Sequence, residues 1–265
     1  MQLHISHTTE YTYDEPVDYA LQKVRMRPAG SKAQDVNEWA LHVEGGKIEA
    51  SYCDHYGNLT DLVSIEPGAR AVKLTASGTV VTHDQLVVFG KTYGRAPLWH
   101  FIQSTSLTTP GPRIKELSTV VNAAENALAG LHDLSAALLE AAPYEIGRTD
   151  NSTNAEQALE LGNAVCQDHA HIFIAAARLA GIPTRYVSGY LMMDDRVDQA
   201  ASHAWAEAHV EALGWVGFDV SNGVAPDERY VRIAIGRDVL DAAPVTGMRL
   251  GNASESMIVS LQVEQ

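Results

Sequence analysis

Along the first third of the chain, apolar and polar residues alternate in short runs. Residues 3–13, 39–43, 59–65 and 71–81 follow a period of two between turn residues, which predicts strands with one buried face. Together they predict an antiparallel β domain over residues 1–95. From Pro97 to Leu139 the pattern turns helical, with Ala- and Leu-rich stretches at 118–131 and 133–142. Residues 170–181 keep helical spacing and stop at Gly181-Ile182-Pro183, a C-terminal signal. Residues 184–191, 203–211 and 214–219 then read as strands, rich in β-branched and aromatic side chains. The tail, 257–263, alternates again and predicts a closing strand that returns to the N-terminal sheet. The expected class is α+β, with an N-terminal β-rich domain (1–95), a core of helix packed on antiparallel sheet (96–235) and a C-terminal strand segment (236–265).

Composition narrows the function classes. The formal net charge of −14, with no Lys/Arg cluster to offset it, argues against nucleic acid as a partner, because phosphate binding needs a basic face. The first residues, Met1-Gln2-Leu3-His4, lack a basic region followed by a long apolar run, so no signal peptide is expected. The longest apolar region, 172–182, is broken by Arg178 and is too short to span a bilayer, so no membrane association is expected and the cytoplasm is the expected location. Two cysteines cannot build a disulfide framework. Cys53, in a strand-like segment after Tyr52, reads as a small buried apolar residue.

The chemistry concentrates late in the chain, where Cys166, His203 and Asp219 follow one another. A neutral thiol is a poor nucleophile, and an imidazole held in one orientation by a carboxylate can activate it. Cys166 lies between the breaker and capping pair Gly162-Asn163 and a helical run. That places it in a first helical turn, where free N–H groups and the dipole favour a thiolate and can bind a developing oxyanion. His203 and Asp219 fall on two strands joined through Leu213-Gly214, side by side in space. Gln167 and Trp205 are the candidate substrate-contacting residues, and Trp99, Tyr144 and Asn151 are upstream candidates for a further oxyanion donor. Asp168 suits the helix dipole. His169 and His171 with Cys166 suggest a metal cluster, but a structural zinc needs four converging ligands and no second Cys/His pair stands nearby. No metal and no cofactor is expected.

At these residues the chain resembles the transglutaminase-like superfamily, a branch of the papain-like thiol enzymes, in its bacterial subgroup with an N-terminal domain of its own. The carriers are residues 165–171 (Val-Cys-Gln-Asp-His-Ala-His), 181–191, Ser202-His203-Ala204-Trp205, 214–219 and Gly236-Arg237-Asp238, with Tyr11-Thr12-Tyr13, 21–28 and Asp54-His55-Tyr56-Gly57-Asn58 upstream. The resemblance implies a papain/transglutaminase-like core, a catalytic triad of Cys166, His203 and Asp219, and acyl transfer through a thioester. The substrate it implies is a peptide or protein, with hydrolysis of peptide or isopeptide bonds as the leading reading. Amine transfer or cross-linking, and a silent interaction module, are the alternatives. The chain departs from the family at Ala164, where glycine is common, and at Val220, where proline is common. The oligomeric state is not legible.

Overall fold

The computed structural model describes residues 1–83, 88–90, 96–250 and 254–265. The boundary expected at residue 95 lies outside them.

Period-two alternation makes the first strand. In β1 (Gln2–Val17) Leu3, Ile5, His7, Thr9, Tyr11 and Tyr13 point inward, and the residues between them face outward or are half-buried. β1 pairs antiparallel with β6 (Ala69–Thr82) on one side and β14 (Glu255–Glu264) on the other. β3 (Gln34–Glu44) and the short β9 (Asp198–Gln199) complete this sheet in the order β3-β6-β1-β14-β9. A second sheet runs β13-β2-β5-β4, from β2 (Tyr19–Arg27), β4 (Gly46–Cys53), β5 (Leu59–Ile65) and β13 (Val245–Leu250). The two enclose a core that includes Tyr11, Val24, Met26, Val63, Val72 and Leu74. The C-terminal segment therefore divides, β13 joining one sheet and β14 the other.

The third sheet, β12-β8-β10-β11-β7, carries the helices. Its strands are β7 (Val88–Gly90), β8 (Thr184–Leu191), β10 (His203–Val210), β11 (Gly214–Phe218) and β12 (Tyr230–Gly236). Apart from His209 the residues of β8, β10, β11 and β12 are buried, as expected when both faces of a sheet are covered. One face meets α1 (Pro112–Ala123), α2 (Ala127–Ala141), α3 (Ala155–Leu161) and α4 (Cys166–Leu179), with Ala204, Ala206 and Ala208 letting the helices approach closely. The other face packs Val187, Trp205 and Trp215 against Tyr56 and Phe101, the latter on a 3-10 turn (Leu98–Ile102).

Side chains from the motifs at 54–58 and 236–238 close the remaining joint. Asn58 donates to the Ile235 carbonyl and accepts from its N–H, both at 2.8 Å, while Tyr56 Oη donates to Asp241 Oδ2 at 2.6 Å. Asp241 lies in α5 (Val239–Ala242), capped by Asp238.

Three local expectations are corrected. The helical stretch 118–131 is two helices, because α1 stops at Ala123 and the Asn126 side chain caps a new helix through the Ala129 N–H. Cys53 is exposed, because it ends β4, an edge strand with both faces open. Asn163 does not cap α4: the cap position is Val165, and the Asp168 carboxylate reaches back to its N–H.

Candidate active site

Cys166 is the first residue of α4 and is half-buried. Asp168, two residues on, sets the start of the helix: its Oδ2 accepts from the Val165 N–H at 3.0 Å and from Thr149 Oγ1 at 2.6 Å. Burial raises its pKa, and those two hydrogen bonds oppose the rise. Ala164 forms a parallel bridge with Tyr144, through Ala164 N–H to Pro143 O and Glu145 N–H to Ala164 O. Tyr144 is thereby held beside the approach to the thiol, half-exposed. Of the three upstream donor candidates it alone comes to this place. Trp99 stands against His100 on the 3-10 turn, and Asn151 is in an exposed turn.

His203 opens β10, and the hairpin register brings the carboxylate to it. Pairing runs from Val210↔Gly214 to Ala206↔Phe218. One step further puts Asp219 opposite Trp205, diagonal to His203 on the same face. His203 Nε2 meets Asp219 Oδ2 at 2.6 Å. Nδ1 is left as the ring nitrogen for Cys166. Asp219 is buried, and its Oδ2 also accepts from Asn222 Nδ2 and Tyr230 Oη, both at 2.7 Å.

The electrostatics follow from this cage. Burial pulls the imidazole pKa down, but hydrogen bonds and charge from Asp219 and Cys166 outweigh it and push His203 up to about 10. Burial likewise raises Asp219, and the hydrogen bond and charge of His203, with Asn222 and Tyr230, bring it below the usual carboxylate range. Tyr230 is held protonated by burial and by the neighbouring carboxylate, so it acts as a donor.

Trp205 stacks on His203 at 6.3 Å between ring centroids and meets Tyr230 edge-on at 5.5 Å. It is 2% exposed, and so backs the imidazole rather than lining an open wall. Gly189, opposite His203 on β8, makes room for it: a Cβ there would lie 2.4 Å from Trp205 Cη2 and 2.3 Å from the Val231 carbonyl. Gln167 is half-buried next to the thiol.

The two histidines after the thiol are structural fastenings. His169 Nε2 donates to the Ala142 carbonyl at 2.7 Å, so its Nδ1 accepts from Ser221 Oγ at 2.8 Å. Burial lowers its pKa. His171 is fully buried, is pushed down to about 3 by burial and by the charge of Arg178, and accepts from the Val239 N–H at 3.2 Å. Among the described residues no three His, Cys, Asp or Glu side chains converge on a metal position.

Sequence reasoning missed the supports. Asn222 and Tyr230 carried no motif signal, though Asn222 lies close enough to Asp219 for an Asx-type turn to be read. Arg178, seen only as a break in an apolar run, is buried and donates to the carbonyls of Gln103, Thr184 and Arg237 and to Thr108 Oγ1. Glu207, fully buried on β10, holds Arg185 at 2.5 Å and also contacts Arg232, and the Arg185 guanidinium lies 4.0 Å over the Trp215 ring.

Two sequence families match this chain. The transglutaminase-like superfamily covers residues 116–220, and the bacterial transglutaminase-like N-terminal region covers 3–81. An uncharacterized protein of Mycobacterium leprae is 25% identical over 99% of this chain and 98% of its own, and one of Mycobacterium tuberculosis is 27% identical over 98% and 91%. A crystal structure from Cytophaga hutchinsonii, described as that of a candidate cysteine protease, superimposes with a TM-score of 0.79 at 22% identity, over 100% of this chain and 91% of that one. That likeness is one of fold. No helix among the described residues is long and apolar enough to cross a membrane. The chain thus carries a transglutaminase-like core region over residues 116–220, in which Cys166 is helix-borne and His203 strand-borne, behind a bacterial transglutaminase-like N-terminal region over residues 3–81.

Proposed function

We propose that the protein is a cysteine-dependent acyl-transfer enzyme that hydrolyses peptide or isopeptide amide bonds in the cytoplasm. The observation behind this reading is the 2.6 Å contact of His203 Nε2 with the buried Asp219 carboxylate, which with Cys166 pushes the imidazole up to about 10. A charged imidazole held beside a thiol is the acid that a departing amine needs.

The Cys166 thiolate attacks the amide carbonyl carbon, forming the C–S bond. The N–H of Cys166 at the helix start and the Tyr144 hydroxyl donate to the oxyanion. As the C–N bond breaks, the His203 imidazolium gives its proton to the departing amine. Neutral His203 then takes a proton from water, whose oxygen attacks the thioester; the C–S bond breaks, the acid leaves and the thiolate returns. Asp219 holds the imidazole in one tautomer and steadies its charge. Water as the acceptor is in keeping with the description of the Cytophaga protein.

The test has two arms. Alkylation of Cys166 by iodoacetamide near neutral pH should slow markedly in His203→Ala, and equal rates would sink the activated-thiol reading. A library of amides, incubated with and without primary amines and followed by mass spectrometry, should release amine and acid. Conjugates formed only with added amine would replace water by an amine acceptor.

A further inference from the structure

One oxygen of the carboxylate behind His203 is oversubscribed. Asp219 Oδ2 takes the imidazole Nε2 at 2.6 Å, Asn222 Nδ2 at 2.7 Å and Tyr230 Oη at 2.7 Å, whereas Oδ1 is met by the Asn222 N–H at 3.3 Å. A carboxylate oxygen offers two lone pairs, so three donors share two acceptor positions. They come from different elements. His203 opens β10, Asn222 stands exposed in the turn after β11, and Tyr230 opens β12 and is buried. The negative charge that His203 feels is therefore what the other two donors leave it.

The surroundings keep Tyr230 a donor. Burial and the Asp219 charge hold its hydroxyl protonated, with Asp227 acting in the same sense and Arg229 against it. Cys166 is the second group that lifts the imidazole, Trp205 stacks on it without charge, and His169 and Tyr144 also feel the Asp219 charge.

The second half of the reaction shifts these forces. Once the acyl group is on sulfur, Cys166 is a neutral thioester and its lift on His203 is gone, so the pull of Asp219 sets how much imidazole is neutral. Hydrolysis needs the neutral form. The oxygen of water bonds to the acyl carbon, one of its protons goes to His203, the C–S bond breaks, and the acid leaves a thiolate beside an imidazolium.

We propose that Tyr230 is a positioning residue for this hydrolysis, its hydroxyl drawing on Asp219 Oδ2 so that the carboxylate orients His203 without holding it charged through the thioester stage. This role rests on the acyl-transfer reading above, and Asn222 acts in the same sense from the turn. A tyrosine that merely held Asp219 in place would do the reverse: without it the carboxylate would drift from the imidazole, and His203 would lose its proton more easily.

Carbon-13 at histidine Cε1 reads the His203 titration in Cys166→Ala, where sulfur contributes nothing. Adding Tyr230→Phe, or separately Asn222→Ala, should raise the midpoint by about half a pKa unit to one unit, the share that one hydrogen bond carries. In the protein with its thiol, p-nitrophenyl acetate should give a burst of nitrophenolate as Cys166 is acylated, then a slower steady release limited by hydrolysis. Tyr230→Phe should keep the burst and slow the steady rate at pH 7 about three- to tenfold, and the deficit should close as pH rises past the new midpoint. A midpoint that stays or falls in Tyr230→Phe overturns this role, as does an unchanged steady rate. If Tyr230→Phe fails to fold, Asn222→Ala, which frees the same oxygen from an exposed position, decides by the same criteria. If the unaltered protein gives no burst, the acyl-transfer reading fails, and the midpoints still decide whether Tyr230 draws on Asp219.

Discussion

Asp219→Asn isolates what the carboxylate does to His203. The substitution keeps the side-chain volume and removes the charge that faces Nε2 at 2.6 Å. A hydrogen bond between charged partners contributes about 1.5–3 kcal/mol, and one pKa unit is about 1.4 kcal/mol, so the imidazole should lose about one to two units. From about 10 it falls to roughly 8–9, Cys166 supplying the lift that remains. A base with a raised pKa is charged below that value, so the imidazolium persists at neutral pH and disappears on the alkaline side. Any folding stability it lends is full below about 6.5 and is lost as pH rises towards 10. Histidine labelled with carbon-13 at Cε1 reports the titration directly, and His203→Ala identifies the resonance. The alkaline loss of Cys166 alkylation by an anionic haloacetate should move down with it. An unshifted midpoint in Asp219→Asn, or a wild-type midpoint near 6.5, refutes the coupling.

Four further outcomes are expected. Tyr144→Phe should lower kcat on an amide substrate by about 10²–10³ while KM and the iodoacetamide rate hold; an unchanged kcat removes the hydroxyl from the oxyanion site. Gly189→Ala, whose Cβ meets Trp205 and the Val231 carbonyl, should cost about 1–3 kcal/mol in urea unfolding and slow thiol alkylation by displacing the ring behind His203, whereas a neutral effect shows that the sheet yields. Arg178→Leu strands the carbonyls of Gln103, Thr184 and Arg237 and should cost about 3 kcal/mol or more; a loss under about 1 kcal/mol contradicts its buried role. His7 and His171 stay neutral in the fold down to about 4 and 3, but bind protons once unfolded, from 6.5 downwards. Stability should therefore fall as pH drops below 6.5, by about 1.4 kcal/mol per pH unit for each histidine, and a urea midpoint flat from pH 7 to 5 refutes this.

The parts of the fold readable in the sequence are those with a local cause. β1 alternates because one face is buried, and α4 stops at Leu179, two residues before Gly181, whose φ of +82° suits glycine. β4 alternates in sequence, with Ile48, Ala50 and Tyr52 set between Lys47, Glu49 and Ser51, yet buries neither set, because it is an edge strand with both faces open. The break between α1 and α2 was masked by good helix formers on either side of Asn126. Trp205 stands two residues after His203 in the motif, and its burial depends on Gly189, which comes from another strand.

The same division runs through the candidate active site. Cys166, His203 and Asp219 lie within one helix, one hairpin and the strand between them, so their order alone suggests their meeting. Their ionisation is a long-range property. Tyr230 reaches Asp219 only because β12 pairs with β8, which pairs with β10. β12 is in turn tied to the N-terminal domain, through Asn58 at Ile235 and through Gln34, whose side chain takes the Arg232 N–H and donates to its carbonyl, both at 2.9 Å. The candidate residues are thus specified nearby, while the strand that holds their carboxylate is fastened by the first sixty residues of the chain. Removing the N-terminal domain would therefore act first on the position of Tyr230 and the charge of His203, and leave the order of the three candidate residues intact.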